Sequence, residues 1–417
     1  MSEPVPIFLA RPLMRTIAFV APFATANTLR YCKLLVELEG VQAAIISADP
    51  KEKFGLLGRE VGAFAQVKDP MNGRELAQAG ELIRARCGRL DRLFGALEQL
   101  QLPIGEARDL LKIEGMGAEV VRRFRDKSAM KAALRDGGVP CARFARVEKG
   151  DDARRFADQV GYPLIIKPTD GLGTRSTWRL EDRGDLEEAL KILRPSPGRA
   201  AQCEEFLVGT EHSFETVSID GKAIWSSSTD YIPGPLEVLN TPWIQYCVLL
   251  PREEENLESF RAVNHRALEV LGMKTGLSHM ELFRRNDGTV AVNEVGARPP
   301  GVNIMPLMSA AHKVDFYERW IRLMALDEFE PPRRHRAAGT AFLRGQGRGT
   351  KVIALENLPE VLEEIKPYLY ESSLPRVGQS KGPGYEGEGY VIVTAEKTEE
   401  VLRCLARAIR KIRIILG

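Results

Sequence analysis

Glu281 and Glu294 stand near the two ends of the stretch His279 to Arg298, HMELFRRNDGTVAVNEVGAR, which otherwise reads as a β-hairpin. Asp287-Gly288 lies between them, a dipeptide favoured in two-residue hairpin loops because both central residues take positive φ. With those two residues as the loop, Asn286 pairs with Thr289 and Arg285 with Val290. Counting outward sets Glu281 directly opposite Glu294. Opposed side chains share one face of the ribbon with Cβ atoms roughly 4.5–5.5 Å apart, and like charges there repel. Either both carboxylates point into solvent, or a divalent cation lies between them. Hard cations such as Mg²⁺ take oxygen ligands from one or two carboxylates and complete their shell with phosphate oxygens and water. Alternation from Glu294 also brings Gly296 and Arg298 to that face. A cation and a guanidinium looking at one volume suit a phosphoryl group in transfer.

Two lysines extend the pattern. Lys167 ends the apolar strand PLIIK and is followed by the glycine-bearing loop TDGLGTRST. Successive backbone N–H groups in such a loop form an anion-binding nest, so a cation beside it is well placed to hold phosphate. Lys127 sits in the first turn of the amphipathic helix DKSAMKAALRD, which Gly137-Gly138 ends, and, taken alone, reads as a solvated lysine. CEEFLVGTE then offers what a purine nucleoside needs. Strand-end backbone groups at Glu205 and Leu207 suit the base edge, the Glu204 carboxylate can accept from an amino group, and Glu211 can accept from ribose hydroxyls. Each of these, taken singly, is also an ordinary surface residue.

The elements that must position these groups follow from the patterning. Residues 1–110 alternate apolar strands with amphipathic helices, as in a doubly wound parallel sheet. Its first strand, RTIAFV, is followed by APFATANT and not by GxGxxG, which argues against a dinucleotide site. Residues 111–330 carry the motifs above, with a smaller part over 141–203. EFEPPRRHR marks a boundary, and 331–417 mixes strands (AAGTAFLRGQ, EGYVIVTA) with helices (LPEVLEEIKPYL, KTEEVLRCLARAIRKI), a small α+β lobe. A second hairpin signal, Asp220-Gly221, lies in HSFETVSIDGKAIWSSS. The fold class is therefore α/β and α+β.

The chain has 417 residues, enough for two or three domains with real cores. Its 59 Lys and Arg against 57 Asp and Glu give a net charge of +2, which favours neither nucleic-acid nor membrane partners. No apolar run is long enough to span a bilayer. The six cysteines show no CxxC spacing, which speaks against a zinc site or a secreted disulfide scaffold and for a reducing, cytoplasmic setting.

In their order along the chain, DKSAMKAALRDGGVP, YPLIIKPTDGLGTRS, EEFLVGTE and HMELFRRNDGTVAVNEVGARPPG resemble the ATP-grasp superfamily, in particular its carboxylate-amine ligases and among them the amino-acid ligase branch. The resemblance implies an ATP-grasp fold preceded by a Rossmann-like domain. It implies ATP and Mg²⁺ as cofactors, with two ions held by Glu281 and Glu294 and Mn²⁺ as a substitute. By the same resemblance Lys127 and Lys167 contact the phosphates, and Gly171, Gly173, Thr174 and Ser176 belong to a closing loop. Glu204, Glu205 and Leu207 hold adenine, Glu211 the ribose, and Arg298 steadies the transferring group. Many relatives carry Asn two residues after the second glutamate, where this chain has Gly296; Asn293 is expected on the opposite face by strict alternation. His279 and Asn303 are candidate substrate contacts, His279 equally a packed structural residue. Met305, Trp225, Tyr231 and Trp243 are candidate pocket walls or core. The implied partners are a small carboxylate and an amine, amino acids among them, and a second copy of the chain in a homodimer. Bicarbonate chemistry of the carboxylase or carbamoyl-phosphate type, and nucleotide binding without chemistry, are the alternatives.

Overall fold

The computed structural model describes residues 14–169, 177–234, 237–238, 245–253, 257–382, 384 and 386–417. The chain forms two units, one of residues up to Ala118 together with Trp320–Phe329, the other of Glu119–Arg319 and Glu330–Gly417.

In the first unit, strands β1 (Arg15–Val20), β2 (Val41–Ser47), β3 (Ala63–Gln66) and β4 (Arg92–Phe94) make a parallel sheet in the order β3-β2-β1-β4. Ile17 to Ala21 are fully buried, which is why this stretch reads as one apolar run. The helix Ala26–Val36 starts where the Thr25 hydroxyl accepts from the Thr28 N–H, and Gly73–Cys87 starts at Asn72, whose side chain accepts from the N–H groups of Arg74 and Glu75.

The second unit holds the motif-bearing segments. Strands β5 (Phe144–Val147), β6 (Leu164–Pro168), β7 (Trp178–Leu180) and β8 (Ala201–Glu205) form an antiparallel sheet ordered β5-β8-β6-β7. The helices Gly150–Val160 and Arg183–Leu193 close its core through Phe156, Leu186 and Leu190 against Leu164, Ile166 and Cys203. A larger antiparallel sheet contains β9 (Gly209–Ile219), β10 (Lys222–Ile232), β11 (Tyr246–Leu250), β12 (Gly276–Arg285), β13 (Val290–Gly296), β14 (Ala337–Leu343), β16 (Leu369–Ser373) and β17 (Gly389–Ala395), in the order β13-β12-β9-β10-β11-β14-β17-β16. The remaining strands, β15 (Val352–Glu356) and β18 (Arg413–Leu416), pair with each other. Because β14 pairs with β11, Val248 opposite Thr340, the C-terminal segment extends the sheet that carries β12 and β13 and does not stand beside it as a separate lobe. The reason lies in the strands themselves: all seven residues of β14 are buried, so the strand needs neighbours on both edges.

Candidate active site

The hairpin does place Glu281 opposite Glu294, but by a route that differs from simple counting. The loop has three residues, closed by Arg285 N–H to the Thr289 carbonyl at 2.8 Å and Gly288 N–H to the Arg285 carbonyl at 2.9 Å. Gly288 takes φ of 84°, the left-handed residue that such loops require. That loop shifts the pairing by one, so Leu282 lies opposite Val292; a bulge between Glu281 and Leu282 then restores the register, leaving Glu281 opposite Glu294 and His279 opposite Gly296. The extra residue is Asn293. A bulge interrupts strict alternation, and Asn293 reaches the carboxylate face, donating from Nδ2 to Glu281 Oε2 at 3.3 Å. The expectation that Asn293 faces the other way is therefore corrected.

Lys127 is buried, not solvated, and its Nζ donates to Glu294 Oε1 at 2.8 Å. Asp126 caps its helix, Lys127–Asp136, by accepting from the N–H groups of Ser128 and Ala129. Lys167 Nζ lies 3.0 Å from Glu204 Oε1. Gln202, on the same strand, also donates to Glu204 Oε1, and the Ser128 hydroxyl is 2.7 Å from the Gln202 amide oxygen. Burial by itself would raise the Glu204 carboxyl, but Lys131 and Lys167 outweigh it and bring the pKa down to about 2. Burial likewise opposes the Lys167 ammonium, which Glu204 and Glu294 nevertheless hold above its ordinary value. For Glu294, burial is again outweighed, by Lys127 and then Lys167, and the carboxylate is favoured.

Glu205 is tied down: its N–H donates to the Arg143 carbonyl at 3.0 Å, and its carboxylate pairs with Arg143 at 2.5 Å and Arg285 at 3.3 Å. Its N–H is thus spoken for, which leaves Leu207, buried against Ala142 and Ala291, as the better-placed strand-end residue for a base. The glycine loop positions Gly171, Gly173, Thr174 and Ser176, and Trp243, lie outside the described residues.

On β9, Glu211 stands opposite Phe283, Ser213 opposite Glu281 and Glu215 opposite His279, so all three share the carboxylate face. Burial, then the charge of Glu281, raises Glu211 well above the usual carboxylate range, with Lys167 opposing. His279 Nδ1 is 2.8 Å from Glu215 Oε1, and its Nε2 is 3.8 Å from Glu281 Oε1. Burial would lower the His279 pKa, but Glu215 and Glu281 raise it to about 9. Arg298, half-buried, donates to the Pro299 carbonyl at 2.9 Å and adds to the charge that favours the Glu294 carboxylate. Asn303, at φ of 62°, precedes the helix Ile304–His312, and its Nδ2 is 3.3 Å from the Thr340 hydroxyl. Met305 is buried in that helix. Trp225 packs on His312 and Phe316 and donates to the Pro332 carbonyl, while Tyr231 is buried and stacks on Tyr246. Met305 and Tyr231 belong to packing, while Trp225 also borders a cleft lined by Phe214, Ile224, Arg261 and Asn264. Lys131 and Gln202 escaped the sequence reading. Only the spacing of Lys131, four residues after Lys127 and thus on the same helix face, could have signalled it.

The donor set fits a hard cation. Among the described residues no three His, Cys, Asp or Glu side chains converge as a complete cage. Mg²⁺ does not ask for one: it takes one or two carboxylates and keeps the remaining positions for water and phosphate. Glu281, Glu294 and the Asn293 amide supply oxygens, and the repulsion between Glu211 and Glu281 is what a cation there would relieve.

Residues 132–305 match the ATP-grasp domain family. The chain is 24% identical over 241 residues to an L-arginine-specific L-amino acid ligase of Bacillus subtilis, covering 56% of this chain and 57% of that protein. It is 25% identical over 239 residues to the carbamoyl phosphate synthase large chain of Methanothermobacter thermautotrophicus, covering 55% of this chain and 22% of that protein. Each match thus spans less than two thirds of the relative's length. Among solved structures, an L-amino acid ligase from Bacillus licheniformis superposes with a TM-score of 0.74 at 21% identity, over 97% of this chain and 99% of that one. N5-carboxyaminoimidazole ribonucleotide synthetase from Thermotoga maritima follows the same fold, TM-score 0.66 at 18% identity, over 97% of this chain and 100% of that one. The matched segment runs through the four-stranded sheet, the strand of Glu204 and the carboxylate hairpin to the helix beyond Arg298, and over residues 132–305 the chain carries an ATP-grasp domain.

Proposed function

We propose that the protein is an ATP-dependent carboxylate-amine ligase, joining a small acid to an amine and releasing ADP and phosphate. The observation that carries this reading is the convergence of Lys127, Glu294, Glu281 and Asn293 on one face of the hairpin, with Lys167 and Glu204 on the adjoining sheet. A carboxylate and a triphosphate repel, so they react only where positive charge is fixed in advance. Lys127 and Lys167 hold the phosphates, and Arg298 faces the transferring group from beyond Gly296. Leu207 and Glu204 take the base, and Glu211 the ribose. Glu281 and Glu294 would hold Mg²⁺, whose charge would offset that of the polyphosphate. The substrate carboxylate attacks the γ-phosphorus, ADP leaves, and the amine displaces phosphate from the acyl phosphate to form the amide.

The kinship with the L-arginine-specific ligase supports amino acids as substrates. The kinship with carbamoyl phosphate synthase supports a second reading, with bicarbonate as the acid. The test is ADP release by purified protein with Mg²⁺, ATP and pairs of amino acids, with hydroxylamine added to trap an activated acyl group. Release that needs both an acid and an amine supports ligation; release that needs bicarbonate supports the second reading; release under neither condition leaves nucleotide binding without chemistry. Glu294→Gln and Arg298→Ala should stay folded and lose about a hundredfold or more in turnover. Turnover within a few-fold of the parent in either folded variant would refute the assignment. The homodimer comes from the superfamily alone, and sedimentation velocity tests it.

A further inference from the structure

Lys131 has no part in the chemistry above, yet its side chain is among the most deeply buried in the protein, 1% exposed. A buried ammonium is expensive unless it is bonded and paired. Its Nζ donates to the Val292 carbonyl at 3.3 Å and lies 3.8 Å from Glu204 Oε2. Val292 is the residue just before the bulged Asn293. β13 is the edge strand of its sheet, and on its outer side Val292 forms an isolated parallel bridge with Cys141 in place of a neighbouring strand. Two groups take that place: the Val292 N–H donates to the Pro140 carbonyl at 2.8 Å, and the Val292 carbonyl accepts from Lys131. The bulge is therefore clamped from outside on both its donor and its acceptor.

We infer that Lys131 is a positioning residue that couples the two halves of the site: it fixes the bulge that turns Asn293 and Glu294 toward Glu281, and it draws its counter-charge from Glu204 on the strand of the nucleotide base. One ammonium thus ties the cation-bearing hairpin to β8. The inference rests on the ligase reading only in requiring that the site take a nucleotide with a divalent cation.

The test uses Lys131→Met, which keeps the length and removes the charge and the donor, with Mn²⁺ as a spectroscopic probe. Parent and variant are titrated with ADP and Mn²⁺ by calorimetry and by electron paramagnetic resonance, after circular dichroism has confirmed folding. The Met variant should lose about tenfold or more in Mn²⁺ affinity in the presence of ADP, the size expected when a group supporting metal ligands is removed. Because Lys131 acts through the bulge, the loss should be no larger in the double variant with Asn293→Ala than in Lys131→Met alone. A merely structural lysine would lower the melting temperature without this non-additivity. Wild-type Mn²⁺ affinity in the folded Met variant, or losses that multiply in the double variant, would overturn the inference. Should the Met variant fail to fold, Lys131→Gln, which keeps a donor for the Val292 carbonyl, decides: retained Mn²⁺ affinity supports the clamp, and a tenfold loss overturns it. Failure of both variants to fold would assign the lysine to the core and overturn the inference equally. If the parent itself binds no Mn²⁺ with ADP, it is the ligase reading that falls.

Discussion

Buried charge sets the character of the site at the scale of single residues. Glu204, Lys131 and Lys167 are all buried, and each would be costly alone. They are tolerated because they alternate in sign, Lys131 and Lys167 flanking one carboxylate. His312 shows the other solution, neutrality. Its Nδ1–H donates to the Met308 carbonyl at 2.8 Å, and burial, aided by Arg334, pushes its pKa down to about 4. The unfolded chain binds this proton near pH 6.5, so the unfolded state holds more protons between those values. The stability contributed by His312 is then complete above about pH 6.5 and lost as the pH falls through about 4. The amount at stake is on the order of 3 kcal/mol. Urea unfolding at a series of pH values should show this slope in the parent and lose it in His312→Asn; an unchanged slope would reject the account.

At the scale of elements, the hairpin β12–β13 shows how geometry can compensate within one ribbon. A three-residue loop and a one-residue bulge cancel in register, so Glu281 meets Glu294 while Asn293 gains a place on the same face. Counting from Asp287-Gly288 gives the correct pairing of the glutamates and the wrong face for Asn293, because neither irregularity leaves an unambiguous mark in the residue types. The neighbouring strand β9 begins under equally tight control. A Cβ on Gly209 would lie 2.1 Å from the Arg284 carbonyl oxygen, so the start of β9 can approach β12 only without a side chain. Gly209→Ala should cost on the order of 1–3 kcal/mol, typical of overpacking, and loosen the link between β8 and β9. Thermal unfolding measures the first, and ADP affinity the second. A variant as stable as the parent would show that the backbone yields freely there.

At the scale of the whole molecule, the two units are not two consecutive pieces of chain. The first takes in Trp320–Phe329 from far along the sequence. Trp320 meets Tyr31 edge-on at 5.1 Å and Phe94 at 5.5 Å, and Asp327 pairs with Arg92 at 2.6 Å. Trp320→Ala should therefore destabilise the first unit by on the order of 3–5 kcal/mol, as expected for deleting a large buried aromatic. In urea the transition assigned to that unit should move while the other holds its midpoint. A shift of the other transition alone would contradict the assignment of this segment. None of the described helices is long and apolar enough to cross a membrane.

The sequence by itself determined much of the strand and helix pattern, the order in which Lys127, Lys167, the strand of Glu204 and the carboxylate hairpin follow one another, and with that order the resemblance to the ATP-grasp domain. These are local matters: apolar period, caps, turn dipeptides and motif spacing are each written within a few residues. The tertiary structure alone decided which charges are buried and with whom. Lys127 reads as solvated in the sequence because its partner, Glu294, is distant along the chain, and the partners of Lys131 are likewise remote, a carbonyl at a bulge and a carboxylate on another sheet. The joining of β14 to β11 and the return of Trp320–Phe329 to the first unit are of the same kind. Burial and pairing depend on contacts between segments far apart in the chain, and no pattern confined to one segment encodes them.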